Sequence, residues 1–296
     1  MPHAKVLIAP AFLLLAACGG SEQPAVEEQG ELVIGGESAQ VMSMYEMPTP
    51  NELFGLVRQM AGEGHKRMLS PASYADRYVS LRARSVNFGV FATDLVYASS
   101  FKLNVEVARY YLASKKLAAS LGLDQAFSDA DFVRLEANLT RGDSLEVISN
   151  QVYLKAYEKM QREEMGPVLH MVLAGGWLES MHLVIKQIEA FGQSESLMAR
   201  VAEQKVTLDH LLGMMEGSRN DAEAAQVYAD LVAVRAIYDQ LEVKHTAHEG
   251  ASPSGRMVLG DDVTIELTPT KYKELTEAVE ALRARWTQPE DGAKPQ

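Results

Sequence analysis

The stretch Asn87-Phe88-Gly89-Val90-Phe91-Ala92-Thr93-Asp94-Leu95-Val96-Tyr97-Ala98 decides the fold class, because it is apolar almost all the way round a helix. A helix of that kind lies at the centre of a bundle, with neighbours on every side. Its three polar positions, Asn87, Asp94 and Tyr97, fall within an arc of about 80°. The sequence therefore predicts an α-helical protein with a carboxyl group in its interior.

A buried Asp94 has to be either ionised and paired or protonated and hydrogen-bonded, because an unpaired buried charge costs several kcal/mol or more. The candidate cationic partners are Arg82, Arg84, Lys115 and Lys116. Two interpretations follow. In the first, Asn87, Asp94 and Tyr97 belong to a polar network that fixes how the helices align. In the second, the same three residues line a ligand pocket.

Around this helix, capping residues and glycines mark further helices, among them a start at Ser128 with Asp131 three residues later. Between these marks apolar residues recur at intervals of three and four. The pattern predicts an all-α helical bundle of about eight or nine helices over residues 48–287. It leaves open whether this region is one domain or two packed sub-bundles divided near Gly166-Pro167. Two β-favouring runs flank Gly260-Asp261 and predict a minor β-hairpin near residues 256–267.

The N-terminus carries a targeting pattern. Residues 1–17 have a short start with one Lys and an apolar run too short to span a bilayer, which is typical of a signal peptide. Leu15-Ala16-Ala17-Cys18 resembles a bacterial lipobox, which implies cleavage before Cys18 and lipidation of that cysteine. Residues 18–47 are acidic and rich in Gly, Ser and Gln, as in a flexible tether, and residues 288–296 predict a disordered tail. By resemblance, Gly19 favours the outer membrane, on either its periplasmic or its surface face.

Composition excludes several functions. Asp and Glu outnumber Lys and Arg by 40 to 28, a net charge of −12, which opposes nucleic-acid binding. Cys18 is the only cysteine, so the mature chain has no internal disulfide and no cysteine zinc site. There is no nucleophile elbow, phosphate loop, zinc-protease motif or dinucleotide fingerprint. The sequence predicts a protein that is not an enzyme, with no catalytic residues and no cofactor.

Two Glu-x-x-His pairs, Glu179 with His182 and Glu242 with His245, are the candidate metal ligands, because ferritin-like sites use this spacing. A helical projection places Glu179 and His182 on a polar stripe with Lys186 that points away from the core, and places the second pair on an inward face further along the bundle. We therefore predict no metal site, but a solvated face at the first pair and a hydrogen-bonded histidine at a helix end at the second.

Gly175 and Gly176 precede the first pair inside the same predicted helix. Glycine within a helix costs about 1 kcal/mol relative to alanine, a cost that is offset where another helix crosses closely. We expect a helix crossing at these glycines, with Trp177 on the core side.

Cys18 and the acidic tether, together with MPTPNELF, NFGVFATDLVYAS, YLASKKLAASLGL and AGGWLESMHL, resemble a family of uncharacterised α-helical lipoproteins of Bacteroidota. The resemblance runs from residue 47 to about residue 190. It implies a helical fold and an envelope location, and carries over no functional residues. The hypotheses are a non-catalytic lipoprotein with the membrane and an envelope protein as partners, a ligand-binding module near Asp94, or a metal-binding protein that uses the Glu-x-x-His pairs.

Overall fold

The computed structural model describes Phe54 and residues 64–139, 142–191, 195–247 and 261–290, all within a compact unit of Met47–Gln296. Cys18, the predicted tether and residues 291–296 lie outside the described residues. Within those residues the fold is all-α, as predicted, with eight α-helices and one two-stranded sheet. The elements are α1 (Leu81–Ser100), α2 (Asn104–Ser120), α3 (Asp129–Ala137), α4 (Gly142–Arg162), α5 (Gly166–Phe191), α6 (Glu195–Met215), α7 (Ala225–Tyr238), β1 (Glu242–Ala247), β2 (Asp261–Glu266) and α8 (Pro269–Trp286).

Helix α1 is the central helix that its sequence predicts. Ser80 caps its N-terminus, since the Ser80 side chain accepts a hydrogen bond from the Ala83 N–H. From Ser85 to Ser100 every residue is buried. Helices α2, α4 and α5 pack around it, so nothing on α1 beyond its first turn faces solvent.

The crossing of α1 and α5 depends on two glycines. A Cβ at Gly89 would lie 2.0 Å from the carbonyl oxygen of Val172, and a Cβ at Gly175 would lie 2.0 Å from the carbonyl oxygen of Val86. Each helix thus presents a glycine to the other's backbone, which lets the two backbones touch. The close crossing expected at Gly175 is confirmed, and Trp177 is buried beside it.

Helix α5 is the second helix of the core. By length and composition it could cross a membrane, but 89% of its apolar stretch is buried inside the bundle, as in the core helix of a soluble domain. Helices α6 and α8 cover the side that α1 leaves free. Residues before and after Gly166-Pro167 share one hydrophobic core, so the described helices form a single bundle with no division there.

The β-hairpin is present, but its first strand differs from the prediction. β2 matches the expected second run, whereas β1 comes from residues 242–247 and pairs antiparallel with β2 in a register that sets Glu242 opposite Glu266. The helix expected to run to His245 ends instead at Tyr238. The residues just after it, including Val243 and Thr246, are β-branched ones that fit a strand.

The end of the described chain returns to the start of α1. Glu290 accepts hydrogen bonds from the backbone N–H groups of Val79 and Ser80 at 2.6 and 2.7 Å, and from the Ser80 hydroxyl at 2.6 Å. A carboxylate at a helix N-terminus is electrostatically favourable. The tail predicted to begin at residue 288 is therefore attached to the bundle at least as far as Glu290.

Candidate functional site

A cluster of charged side chains lies where α8 covers α1 and α5, and we call it the polar cluster. Asp94 comes from α1, Glu179 and His182 from α5, and Glu280 and Arg283 from α8. Asp94 and Glu179 have no exposed surface, and His182 is 4% exposed. The prediction that Glu179 and His182 face solvent is wrong. A projection of α5 alone could not reveal that a helix about a hundred residues later covers its polar stripe and supplies matching charges.

Glu179 and Arg283 form a two-point ion pair in the polar cluster. The Nε of Arg283 donates to Glu179 Oε2 at 2.6 Å, and its Nη2 donates to Oε1 at 2.7 Å. Nη2 also donates to the Ser70 hydroxyl at 2.7 Å. Burial alone would lower the pKa of Arg283, but the charge of Glu179 raises it above its usual value. The guanidinium is therefore a permanent cation inside the bundle.

Asp94 lies beside this ion pair and behaves differently. Its Oδ2 accepts a hydrogen bond from the Ser70 N–H at 3.1 Å. Burial raises the pKa of Asp94 well above its usual value, and the negative charge of Glu179 raises it further, while Arg283 partly opposes the shift. The other carboxyl oxygen of Asp94, Oδ1, is buried and has no hydrogen-bond partner among the described residues. The raised pKa favours the neutral, protonated form of Asp94.

The cationic partners expected for Asp94 are engaged elsewhere. Lys115 pairs with Asp129 and Lys116 pairs with Asp76. Arg84 donates to the Tyr78 carbonyl at 3.2 Å. Arg82 acts on Glu290, whose pKa it helps to lower. The four named candidates are therefore wrong, and the cation beside Asp94 is another arginine, Arg283.

His182 joins the polar cluster to the bundle surface. Its Nδ1 lies 2.6 Å from Glu280 Oε1, and its Nε2 lies 2.9 Å from the carbonyl oxygen of Met68. Burial would raise the pKa of Glu280, but His182, Lys186 and Arg283 lower it. Both ring nitrogens of His182 are therefore engaged by neighbouring oxygens. Neither nitrogen is free to ligate a metal.

Asn87 and Tyr97, the other predicted residues, do not share one pocket with Asp94. Asn87 Nδ2 donates to the carbonyls of Ala83 and Trp286 at 2.9 and 2.8 Å. The Tyr97 hydroxyl accepts from Gln187 Nε2 at 2.6 Å and from the His65 N–H at 3.0 Å. Asn87 therefore fixes the end of α8, whereas Tyr97 and Asp94 both hold the segment that precedes α1.

That segment, residues 65–70, is here called the strap, and side chains of four helices bind its backbone. On α1, Tyr97 accepts a hydrogen bond from the His65 N–H, and Asp94 accepts one from the Ser70 N–H. The Tyr110 hydroxyl of α2 donates to the Ser70 carbonyl. His182 of α5 and Arg283 of α8 both donate to the Met68 carbonyl, at 2.9 and 3.5 Å. The polar cluster thus fastens an irregular segment across the helices.

A cavity of about 410 Å³ opens beside the strap and the polar cluster. His182 and Arg283 form its inner wall, and Lys186 lies on the same face of α5. The lining residues are His65, Arg67, Met68, Leu69, His182, Lys186, Ala190 and Arg283. None of them is acidic, although Glu189 and Glu280 bind Lys186 at 2.9 and 3.5 Å. The cavity therefore presents imidazole, guanidinium and ammonium groups.

The second Glu-x-x-His pair has no helical geometry. Glu242 and His245 lie on β1 and not on a helix. The predicted inward helical face at this pair is therefore wrong. Among the residues that the structure describes, no three His, Cys, Asp or Glu side chains converge to hold a metal ion.

Comparison of the chain with protein-family models, curated proteins and solved structures returns no match. The polar cluster therefore has to be interpreted from its own geometry.

Sequence reasoning missed Glu280 and Arg283 of the polar cluster, and Ser70 of the strap, which binds both Asp94 and Arg283. Glu280 and Arg283 are three apart on α8, a spacing typical of a solvent-exposed ion pair. No local signal distinguishes them from the other charged residues of α8. The one usable sign was Asp94 itself, since a buried acid requires a partner somewhere in the chain.

Proposed function

We propose that this protein is a non-catalytic lipoprotein of the outer membrane, in which the helical bundle acts in envelope organisation or as an accessory to another envelope protein. The observation that carries the proposal is the mutual pairing of the charged side chains of α5 and α8 in the polar cluster. Glu179 is held at two points by Arg283, and His182 is held between Glu280 and the strap. Groups bound in this way brace helices, and Asp94, the acid of the polar cluster that is not ion-paired, has no exposed surface through which to meet a substrate.

The membrane attachment rests on Cys18 and the lipobox-like residues before it. Because Cys18 is the only cysteine in the chain, a single substitution removes every thiol. Radiolabelled palmitate should label the full-length protein in a Gram-negative host, and Cys18→Ser should abolish the label and release the protein from the membrane fraction. The neighbouring variant Ser21→Ala should keep both label and location. Label that survives Cys18→Ser would disprove the anchor.

A second candidate function is the binding of a small anionic ligand in the cavity beside the polar cluster. The favouring observation is the lining itself, with Arg67, His182 and Lys186 facing a space of about 410 Å³ and no acidic residue among the described residues that line it. Citrate and inorganic phosphate are suitable probes. Binding to the folded protein would raise its melting temperature, and Arg67→Ala would reduce the rise. Arg134→Ala, on α3, is the control, and an equal effect of both variants would exclude this site.

A further inference from the structure

A larger groove lies on a different side of the strap, between residues 66–76 and α2. Its volume is about 1040 Å³. One wall is formed by Lys66, Arg67 and the short helix Ala72–Arg77, and the other by α2 from Asn104 to Lys116. The groove floor is closed by buried side chains such as Leu69 and Tyr110. It is therefore a concave surface with two walls.

The outer face of α2 gives this groove a regular pattern. Val105, Arg109, Leu112 and Lys116 follow one another at intervals of four, three and four residues, so they form one stripe along the helix. Val105 is 70% exposed and Leu112 is 52% exposed. Apolar and cationic side chains thus alternate along the stripe. Its length, from Val105 to Lys116, is about 17 Å at 1.5 Å per residue.

The groove differs in charge from the rest of the molecule. Among the described residues, Lys66, Arg67, Arg109 and Lys116 line it together with two carboxylates, Asp76 and Glu106, a net charge of +2. The two carboxylates pair with Lys116 and Arg109 respectively. The whole chain carries −12. Complementary potentials steer partners and fix their orientation more than they add raw affinity. The occupant that fits is therefore acidic, with apolar side chains to cover Val105 and Leu112.

We propose that this groove binds an acidic amphipathic helix of another envelope protein, about 11 residues long to match the stripe on α2. The inference deepens the accessory role proposed above and rests on it. The helix lies along α2 with its apolar side chains against Val105 and Leu112. Its carboxylates meet Lys66 and Arg67, and compete with Asp76 for Lys116. A lipid surface fits less well, because a flat bilayer reaches only protruding side chains and would not enter a two-walled groove.

The test uses full-length protein in detergent and two fluorescent synthetic peptides of about 11 residues, one with leucine on one face and glutamate on the other, and one with lysine in place of glutamate. Fluorescence anisotropy should show binding of the glutamate peptide at least about tenfold tighter than binding of the lysine peptide. The difference should shrink as salt is added, since exposed charges are screened. Equal affinities, or no binding of the glutamate peptide at about 1 mM, would overturn the proposal.

Matched variants locate the binding site. Lys66→Glu with Lys116→Glu should lower the affinity for the glutamate peptide at least about tenfold. Arg134→Glu with Lys273→Glu makes the same charge change outside the groove and should leave the affinity unchanged. Leu112→Ser should also weaken binding, and Leu154→Ser on α4 should not. If the control pairs weaken binding equally, the groove is not the site.

Two further results separate this inference from its alternatives. One result is that the protein binds anionic vesicles but neither peptide, and that Lys66→Glu with Lys116→Glu abolishes vesicle binding. The ligand of the groove would then be a membrane surface and not a helix. Peptide binding that persists in a protein without palmitate label would support the groove and disprove the anchor. The two proposals can therefore fail independently.

Discussion

The Glu179 carboxylate and the Arg283 guanidinium form a two-point ion pair inside the bundle, although the two residues are 104 positions apart in sequence. Glu179 is wholly inaccessible and the Arg283 side chain is 15% exposed. The pair joins α5 to α8 and, through Ser70 and Met68, to the strap. The last helix of the fold is therefore held to the core by a charge interaction as well as by apolar packing.

Loss of one partner should be costly. Arg283→Ala leaves Glu179 buried without its cation and should lower the free energy of unfolding by about 3–5 kcal/mol. Arg285→Ala removes a 62% exposed arginine that pairs with Asp230, and should cost less than about 1 kcal/mol. Urea unfolding followed by circular dichroism measures both. The double variant Glu179→Leu with Arg283→Met should recover much of the loss. Equal costs for Arg283→Ala and Arg285→Ala would contradict the buried pair.

The protonated state of Asp94 gives a pH dependence of known sign. Because its folded-state pKa lies above the usual 3.8, the folded protein keeps this proton to higher pH than the unfolded chain does. The contribution of Asp94 to stability is therefore fully present below the pKa of the unfolded chain. It is lost as the pH rises through the folded-state pKa. Asp94→Asn removes the dependence. The free energy of unfolding of the wild type, relative to Asp94→Asn, should decrease as the pH rises above about 4, by up to about 1.4 kcal/mol per pH unit, until the folded-state pKa is passed. A constant difference would show that Asp94 is ionised throughout.

The strap should loosen when His182 is changed. His182→Gln removes the ion pair with Glu280 and weakens the hold on the Met68 carbonyl. Backbone N–H groups of the strap, including the Ser70 N–H that Asp94 accepts, should exchange with deuterium about tenfold faster, which corresponds to about 1.4 kcal/mol. Mass spectrometry of the peptides that contain residues 65–70 measures this. His210→Gln on α6 is the matched control, and unchanged exchange in His182→Gln would show that the strap is held by other contacts.

The crossing glycines should tolerate no side chain. Gly89→Ala and Gly175→Ala each place a methyl group 2.0 Å from a backbone oxygen, so each should lower the free energy of unfolding by about 1–3 kcal/mol or more. Gly213→Ala is the control, because a Cβ there meets nothing within 4 Å and alanine favours the helix by about 0.5–1 kcal/mol. The melting temperatures of the three variants, measured by thermal unfolding, give the order of their stabilities. A neutral Gly175→Ala would mean that α1 and α5 lie further apart than described.

The sequence predicted those features that depend on neighbouring residues. The periodicity of residues 87–98 indicated a central helix, and Gly175 beside Trp177 indicated a crossing. The polar cluster escaped prediction because it depends on distant pairing. Glu179 and His182 lie on a buried part of α5, so the polar stripe there faces Arg283 and Glu280 instead of water. The prediction for Glu242 and His245 was wrong because it extended the helical period beyond Tyr238. The residues that follow include β-branched ones and form β1.

The glycine contact between α1 and α5 also offers a way to recognise distant relatives. Gly89 and Gly175 each meet the other helix's main chain, so any chain that keeps this crossing is constrained to keep glycine at both positions, whatever happens to the surrounding side chains. Polar residues such as Asp94 and Glu179 can be replaced together, but the absence of a Cβ has no substitute. Two glycines in separate apolar helices, each at the point of closest approach, thus form a structural signature that survives after ordinary sequence similarity is lost.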